Sequence, residues 1–259
     1  MRKTEEQLTA LLDMLRLGGQ VTLAEAMAQL SVSQSTARRL FDRLQNQGTA
    51  VRIHGGIRSV PDREYSYERV EGQRAQEKAL IARRAAAWLE SGDTVYLDSG
   101  TTLAQVCLCL SHRLQAGELT NINIFTNSLV HLDILGALCP VTLAGGLYRP
   151  HRRDFSGYLA EEGVKKLHFN KCILGTDGYD PRCGFTTTDF DTARLNEWVV
   201  ARSDAVMVAA DSSKFSAASV VSYADERAIR LLVTDSALSP ATEARLSDRG
   251  IEIWIAPPA

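Results

Sequence analysis

The feature that most constrains the fold of this sequence is a regular alternation, from Lys78 onward, of short β-rich segments with segments of helical periodicity. Two stretches carry clear helical patterns. The first, with an apolar face at residues 80–89, precedes the first predicted strand, and the second, at residues 101–114, follows it. Such alternation predicts an α/β domain in which a mainly parallel sheet is covered by helices on both faces. The predicted strands are Thr94–Leu97, Ile122–Phe125, Val141–Ala144, Lys171–Leu174, Ala205–Ala209, Leu231–Val233 and Ile251–Ile255.

The first sixty residues follow a different pattern, which predicts three helices. Thr4–Gln7 has the form of a capping box, and an apolar face follows until Gly18 and Gly19 end the first helix. Thr22–Glu25 repeats the capping signal for a second, shorter helix. Ser33 is suited to cap the third helix.

The third helix has two contrasting faces. Ala37, Leu40, Phe41 and Leu44 fall on one side at about 100° per residue, and polar side chains fall on the other. Arginine and glutamine side chains can bond to base edges, and hydroxyl side chains can bond to phosphates. The pattern therefore predicts a helix-turn-helix whose DNA contacts come from Gln34, Ser35, Thr36, Arg38 and Arg39.

The segment after this helix is predicted to be a wing. Gly48 ends the helix, and residues 50–58 read as two short strands around a glycine turn. Arg52 and His54 are expected to lie along the DNA backbone, where they would position the protein without specifying sequence. Residues 1–60 carry 8 Lys+Arg against 5 Asp+Glu, whereas the whole chain has a net charge of −2. The sign of this excess fits phosphate contact.

The chain is therefore divided into a winged helix-turn-helix domain at residues 1–60, a linker at 61–77 and a sensor domain at 78–259. The linker is predicted because residues 61–77 are charged and lack sustained apolar periodicity.

The ends of the predicted strands indicate where a ligand binds, because ligands of parallel sheets bind beyond the carboxyl ends of the strands. The loop at residues 98–102 combines a glycine, small hydroxyls and a helix N-terminus, which favours a phosphate. Lys214 would neutralise a phosphate or pair with Asp98 or Asp177. The predicted effector-binding residues are Asp98, Ser99, Gly100, Thr101, Thr102, Thr126, Asn127, Ser128, Gly145, Gly146, Asp177 and Lys214.

Several other site types are disfavoured. The loop lacks the glycine spacing of ATP- and dinucleotide-binding motifs, so no cofactor is expected. The five histidines lack zinc-site spacing and are expected at the surface or in the wing, so no metal is expected either. The five cysteines are expected to be reduced core thiols, and the polar N-terminus and absence of a membrane-length apolar run predict a cytoplasmic protein.

An ordered set of short motifs resembles the DeoR family of bacterial transcriptional regulators. The resemblance covers about residues 4–255, and it implies a repressor of sugar or nucleoside catabolism that binds operator DNA as a dimer or tetramer. It also implies release from DNA when a phosphorylated sugar binds, in a sensor domain similar to ribose-5-phosphate isomerase. The motifs are Val32-Ser33, Thr36-Ala37-Arg38-Arg39, Leu44, Gly48, Arg52-Ile53-His54-Gly55-Gly56, Asp98-Ser99-Gly100-Thr101-Thr102, Thr126-Asn127-Ser128, Gly145-Gly146, Gly184-Phe185-Thr186 and Asp211-Ser212-Ser213-Lys214-Phe215.

The sequence departs from the family at three places. Leu40-Phe41 stands where the family usually has Asp-Leu, and Ala37 stands where a larger aliphatic residue is common. Asn196 stands where a basic residue is frequent. The alternative function is a sugar-phosphate isomerase-like enzyme with an appended DNA-binding domain, since Asp98, Asp177, Asp180 and Glu197 offer carboxylates. It is disfavoured because Phe185–Thr188 stands where such isomerases place a lysine and glycines. The chain is therefore expected not to be an enzyme, and no aromatic sheet surface or basic groove indicates RNA binding.

Overall fold

A computed structural model of the chain describes residues 7–12, 14–15, 20–46, 50–59 and 65–257. The predicted start of the first helix at residues 4–6 and the glycines at 18, 19 and 48 lie outside these ranges. The chain forms two compact units, residues 1–70 and 71–259. The boundaries predicted from the sequence stay a prediction.

The first unit contains the predicted helices and wing. Residues 7–12 and 14–15 are helical, followed by β1 (Gln20–Thr22), α1 (Leu23–Leu30), α2 (Gln34–Asn46), β2 (Ala50–Ile53) and β3 (Gly56–Ser59). The capping box predicted at Thr22 is confirmed, since the Thr22 hydroxyl accepts the Glu25 amide and the Glu25 carboxylate accepts the Thr22 amide at 2.7 Å. The helices and the wing share a core that includes Leu11, Phe41, Leu44 and Ile57.

The wing has one strand more than predicted. β2 and β3 form the expected antiparallel hairpin, and β3 also pairs with β1 in the order β1-β3-β2. Gly56 is required at this junction, because a Cβ atom there would lie 2.4 Å from the carbonyl oxygen of Val21. The hairpin is thereby anchored close to the start of α1.

The second unit contains all seven predicted strands in one parallel sheet, which confirms the predicted fold class. The bounds are β4 Thr94–Leu97, β5 Asn123–Thr126, β6 Val141–Leu143, β9 Lys171–Leu174, β12 Val206–Ala209, β14 Leu231–Thr234 and β15 Glu252–Ile255. The sheet order is β15-β14-β12-β9-β4-β5-β6, and every neighbouring pair is parallel. The helices are α3 Tyr67–Glu71, which spans the boundary between the units, α4 Ala75–Ala86, α5 Thr101–Gln115, α6 Leu129–Leu135, α7 Tyr158–Val164, α8 Phe190–Ala201 and α9 Pro240–Asp248.

Side chains alternate between two hydrophobic cores, one on each face of this sheet. On one face Val95 and Leu97 pack in a core with α4, α5 and α6 residues such as Ile81, Val106 and Leu135. On the other face, core residues of the sheet such as Tyr96 and Cys172 pack with residues of α7, α8 and α9. The prediction that helices cover both faces is therefore confirmed.

Some local predictions were wrong or incomplete. The α4 helix ends at Ala86, before the predicted Trp88 and Leu89, because the amides of those two residues bond to carbonyls three residues back. Cys183 is exposed rather than part of the core. The sequence patterns also missed two small antiparallel sheets. One is the hairpin of β7 (Leu147–Arg149) and β8 (Asp154–Ser156), and the other consists of β10 (Gly178–Asp180), β11 (Gly184–Thr187) and β13 (Val221–Ala224).

Candidate functional site

The α2 helix presents a donor-rich surface on the side away from the core. Ala37, Leu40, Phe41 and Leu44 are buried, as predicted, and Gln34, Ser35, Arg38, Arg39 and Asp42 are exposed. The Ser33 hydroxyl accepts the Thr36 amide at 3.3 Å and caps the helix. Both Arg38 and Arg39 are exposed, and within the described ranges neither forms an ion pair.

Arg52 is held against α2 rather than extended from the wing. Its guanidinium pairs with Asp42 at 2.6 Å, bonds to the Arg38 carbonyl at 3.0 Å and lies 5.3 Å from the centre of the Phe41 ring. His54, at the tip of the wing, is exposed. This geometry favours a role for Arg52 in fixing the wing to α2, whereas His54 and the α2 donors face outward.

Five predicted ligand loops lie at one edge of the second unit's sheet. They follow β12, β9, β4, β5 and β6, which are consecutive in sheet order, and parallel strands end at the same edge. The chain runs from β4 outward through β5 and β6, then returns to β9 on the other side of β4. This change of direction is a topological switch point, where ligands of parallel sheets bind.

The loop at the switch point leads into α5. Gly100 precedes the helix with φ +121°, and a Cβ atom there would meet nothing within 4 Å, so the space beside it is open. The first-turn amides of a helix have no partner within it and attract anions. Thr102 is half-exposed and Thr101 is buried. The Ser99 hydroxyl instead donates to buried Asp154 at 2.9 Å.

Asp98 is a buried carboxyl directly beneath this loop. Its Oδ2 accepts hydrogen bonds from the Gly175 amide at 3.1 Å, across the switch point, and from Asn196 Nδ2 at 3.2 Å. Burial, with a smaller contribution from the nearby Asp154 carboxylate, raises the pKa of Asp98 to about 7 against the lowering effect of these hydrogen bonds and of one from the Ser99 amide. The carboxyl therefore exchanges its proton near neutral pH.

The residues after β5 are packed inside the second unit and bonded to one another. Thr126, Asn127 and Ser128 are all buried. Asn127 accepts the Tyr96 hydroxyl and donates to the Phe155 carbonyl, and Ser128 caps α6. This geometry favours positioning over direct ligand contact for these three residues, whose assignment to the effector stays a prediction.

His131 contradicts the expectation that every histidine lies at the surface or in the wing. It is fully buried, and its Nδ1 lies 3.2 Å from the Thr126 hydroxyl. Burial lowers its pKa to about 4, so the imidazole is neutral. The apolar surroundings of α6 explain the error, since one histidine in a helical pattern does not show which face it occupies.

The remaining predicted effector residues form the outer part of the same edge. Gly145 is exposed, and Gly146 lies so close to the Ser156 carbonyl that a Cβ atom would be 2.4 Å from its oxygen. Asp177 accepts hydrogen bonds from Thr187 and Thr188. Lys214 is half-exposed, and among the described residues no ion pair joins it to Asp98 or Asp177.

Sequence reasoning missed an ion-paired cluster beside the loop at residues 99–102. Arg149 forms a bidentate pair with Asp154 at 2.8 and 2.7 Å, and also bonds to Asp189 and Thr192. Arg149 and Asp154 face each other across the β7-β8 hairpin, which no sequence signal indicated. The cluster ties the loop at Ser99 to that hairpin and to the start of α8.

Replacing Asp98 by asparagine is expected to change how stability depends on pH. A raised pKa means that the folded state favours the protonated acid. The contribution of Asp98 to the free energy of unfolding is therefore complete below about pH 4 and is lost as the pH rises through about 7. The asparagine side chain does not titrate, so the variant should gain on the order of 4 kcal/mol relative to wild type between pH 4 and pH 8. Urea unfolding at both pH values measures this difference. The contribution of His131 cancels in the comparison, and a pH-independent difference would contradict the assignment.

Neither a metal-binding cluster nor a membrane-spanning helix is found in the described part of the chain. No group of three or more His, Cys, Asp and Glu side chains there is arranged to hold a metal ion. Among the same residues, no helix combines the length and apolar character needed to cross a membrane.

Comparison with known proteins places both units in one family. Residues 8–63 match the family model described as DeoR-like helix-turn-helix domain, and residues 73–236 match that described as DeoR C terminal sensor domain. The HTH-type transcriptional repressor GlcR of Bacillus subtilis is 30% identical over 97% of this chain and 96% of its own length. The lactose phosphotransferase system repressor of Streptococcus mutans is 30% identical over 91% of this chain and 93% of its own length.

Part of the chain also aligns with a solved enzyme structure. Ribose 5-phosphate isomerase from Plasmodium falciparum aligns with 54% of this chain and 52% of its own, with 19% identity and a TM-score of 0.41. A likeness of this size carries no information on activity.

Proposed function

The chain belongs to the DeoR family of transcriptional regulators, and we propose that it represses a carbohydrate catabolism operon under the control of a phosphorylated sugar. In this proposal residues 1–60 bind operator DNA, residues 78–259 bind the effector and residues 61–77 link them. The protein acts in the cytoplasm. One relative is named a transcriptional repressor, which supports repression, and another is named a lactose phosphotransferase system repressor, which supports a sugar pathway.

The observation that carries the effector half of this proposal is the position of the loop at residues 99–102. It lies at the switch point of a parallel sheet and starts α5, a helix of 15 residues. The amides at that helix start, with the Thr102 hydroxyl, offer neutral donors and a favourable dipole to a phosphate. The remaining predicted effector loops lie along the same edge and would enclose the sugar.

The DNA half of the proposal rests on the exposed face of α2. Gln34, Arg38 and Arg39 supply donors suited to base edges and phosphates, and Ser35 and Thr36 lie at the helix start, where phosphates are bound. A helix-turn-helix protein binds two half-sites through a symmetric pair of such helices. We therefore propose that the protein is a dimer or tetramer, whose molar mass light scattering would measure.

The proposal does not include catalysis. An isomerase needs a carboxylate base within reach of its substrate and an acid or cation nearby. Asp177 is engaged by Thr187 and Thr188, and among the described residues no cationic side chain forms an ion pair with Asp98. These contacts favour binding over turnover.

Sugar phosphates are expected to raise the melting temperature of the full-length protein, and the matching unphosphorylated sugars are not. A ligand at a hundred times its Kd stabilises the folded state by about 2.7 kcal/mol, roughly 5–10 °C for a domain of this size. Differential scanning fluorimetry with a panel of sugar phosphates and free sugars measures the shift. Equal shifts by both classes, or no shift by any sugar phosphate, would contradict the proposal.

A further inference from the structure

Two buried oxygens beneath the loop at residues 99–102, where the phosphate is proposed to bind, have no hydrogen-bond partner within the described residues. They are Oδ1 of Asp98 and Oδ1 of Asn196, and the two side chains are joined by the bond from Asn196 Nδ2 to the other Asp98 oxygen. Asp98 is 4% exposed and Asn196 is 1% exposed. Buried polar atoms without partners are rare in folded proteins, so each calls for an explanation such as a contact made only with a bound molecule or ion.

The surroundings of this pair are negative. Asp98 contacts the Gly175 amide and Asn196 but forms no ion pair with any described lysine or arginine, and the Asp154 carboxylate lies nearby. Arg149, the positive group of the adjacent ion-paired cluster, is already shared between Asp154 and Asp189. A buried carboxylate without a cation is strongly unfavourable, so the site favours a positive charge.

The pair also lies next to the place where the phosphate would bind. Asp98 directly precedes the loop, Ser99 and Gly100 are half-exposed, and the space beside Gly100 is open. One ligand can therefore place its phosphate at the start of α5 and another group over Asp98 and Asn196.

We propose that the effector is a phosphorylated amino sugar, whose primary ammonium group donates to the free oxygens of Asp98 and Asn196. This inference rests on the proposed function and specifies the class of its effector. An ammonium carries three N–H donors, so it can satisfy both oxygens at once and neutralise the carboxylate. A single hydroxyl donates only one hydrogen bond and brings no charge.

Matched pairs of sugar phosphates test the inference on the full-length protein. Each pair consists of an amino sugar 6-phosphate and the corresponding hexose 6-phosphate, which differ only in an amine or a hydroxyl at carbon 2. The amino sugars are glucosamine, galactosamine and mannosamine, and their partners are glucose, galactose and mannose. Isothermal titration calorimetry near neutral pH measures each Kd. In at least one pair the amine is expected to bind at least ~tenfold more tightly, the size of a charge-assisted hydrogen bond.

A neutral analogue and two variants complete the design. N-acetylation of the preferred amino sugar should remove its advantage, a test that needs no variant. Asp98→Asn should bring amine and hydroxyl sugars to within about threefold of each other by removing a charge-assisted bond. Asp248→Asn makes the same chemical change at an exposed position of α9 and should leave the preference unchanged.

The outcomes separate this inference from the proposed function. If sugar phosphates bind but no amine is preferred in any pair, or if the preference survives N-acetylation or Asp98→Asn, the amino-sugar inference is overturned and the proposed function stands. If no phosphorylated sugar of any kind binds, the proposed function fails and the inference fails with it.

Discussion

Replacing both Arg38 and Arg39 by alanine is expected to weaken operator binding at least ~30-fold while leaving the melting temperature unchanged. Both side chains are exposed on α2 and contribute nothing to the core of the first unit, which is formed by residues such as Phe41 and Leu44. Each arginine contact to a base or phosphate contributes about 1–3 kcal/mol, so two lost contacts exceed 2 kcal/mol. Fluorescence anisotropy with a labelled duplex from the promoter adjacent to the gene measures the loss.

A matched control removes the same charge elsewhere. Arg202→Ala combined with Arg227→Ala changes two exposed arginines of the second unit and is expected to leave operator affinity within about twofold, the scale of a screened long-range charge effect. If the Arg38 and Arg39 double variant binds the operator as tightly as this control, α2 is not the DNA-contacting helix.

Thr102→Asp is expected to abolish the response to the effector without unfolding the protein. The first turn of α5 contains no acidic residue, and a carboxylate there is favourable to the helix dipole, so the fold should be retained or slightly stabilised. The same carboxylate would repel a phosphate at the helix start by several kcal/mol at close range, which corresponds to a loss of affinity of at least ~100-fold. Fluorimetry and calorimetry with the sugar phosphate identified by the panel measure the loss.

Thr102→Ser is the control for this variant, because it retains the hydroxyl at the same backbone position. It should bind the effector within about threefold of wild type, since serine keeps the hydrogen bond and loses only a methyl group. An unaltered melting shift in Thr102→Asp would mean that the phosphate binds elsewhere.

The sequence predicted the sheet of the second unit well because its strands are short apolar runs separated by helices, a pattern with few alternative folds. Strand positions follow from residue type, as with Leu231–Val233, but strand order does not. The β7-β8 hairpin was missed because its strands are three residues long and are stabilised by the Arg149–Asp154 pair rather than by apolar alternation. Such side-chain pairing leaves no periodic signal.

The candidate site was predicted in outline, but the role of each residue depends on contacts that motifs do not contain. The motif places Ser99 beside Thr101 and Thr102, yet only the structure shows that the Ser99 hydroxyl bonds to Asp154. In the same way, Arg52 belongs to a basic motif but is held by Asp42. Asn196 stood out in the sequence as a departure from the family, and its contact with Asp98 shows where that departure acts.

A phosphate bound at the start of α5 is expected to change the affinity of α2 for operator DNA, and a single titration measures this change. Operator affinity of the wild-type protein and Thr102→Asp is measured by anisotropy with and without saturating sugar phosphate. The effector is expected to weaken operator binding by the wild-type protein at least ~tenfold, within the usual range of allosteric coupling, and to leave operator binding by Thr102→Asp unchanged. Equal operator affinity with and without the effector in the wild-type protein, or equal weakening in both proteins, would contradict it.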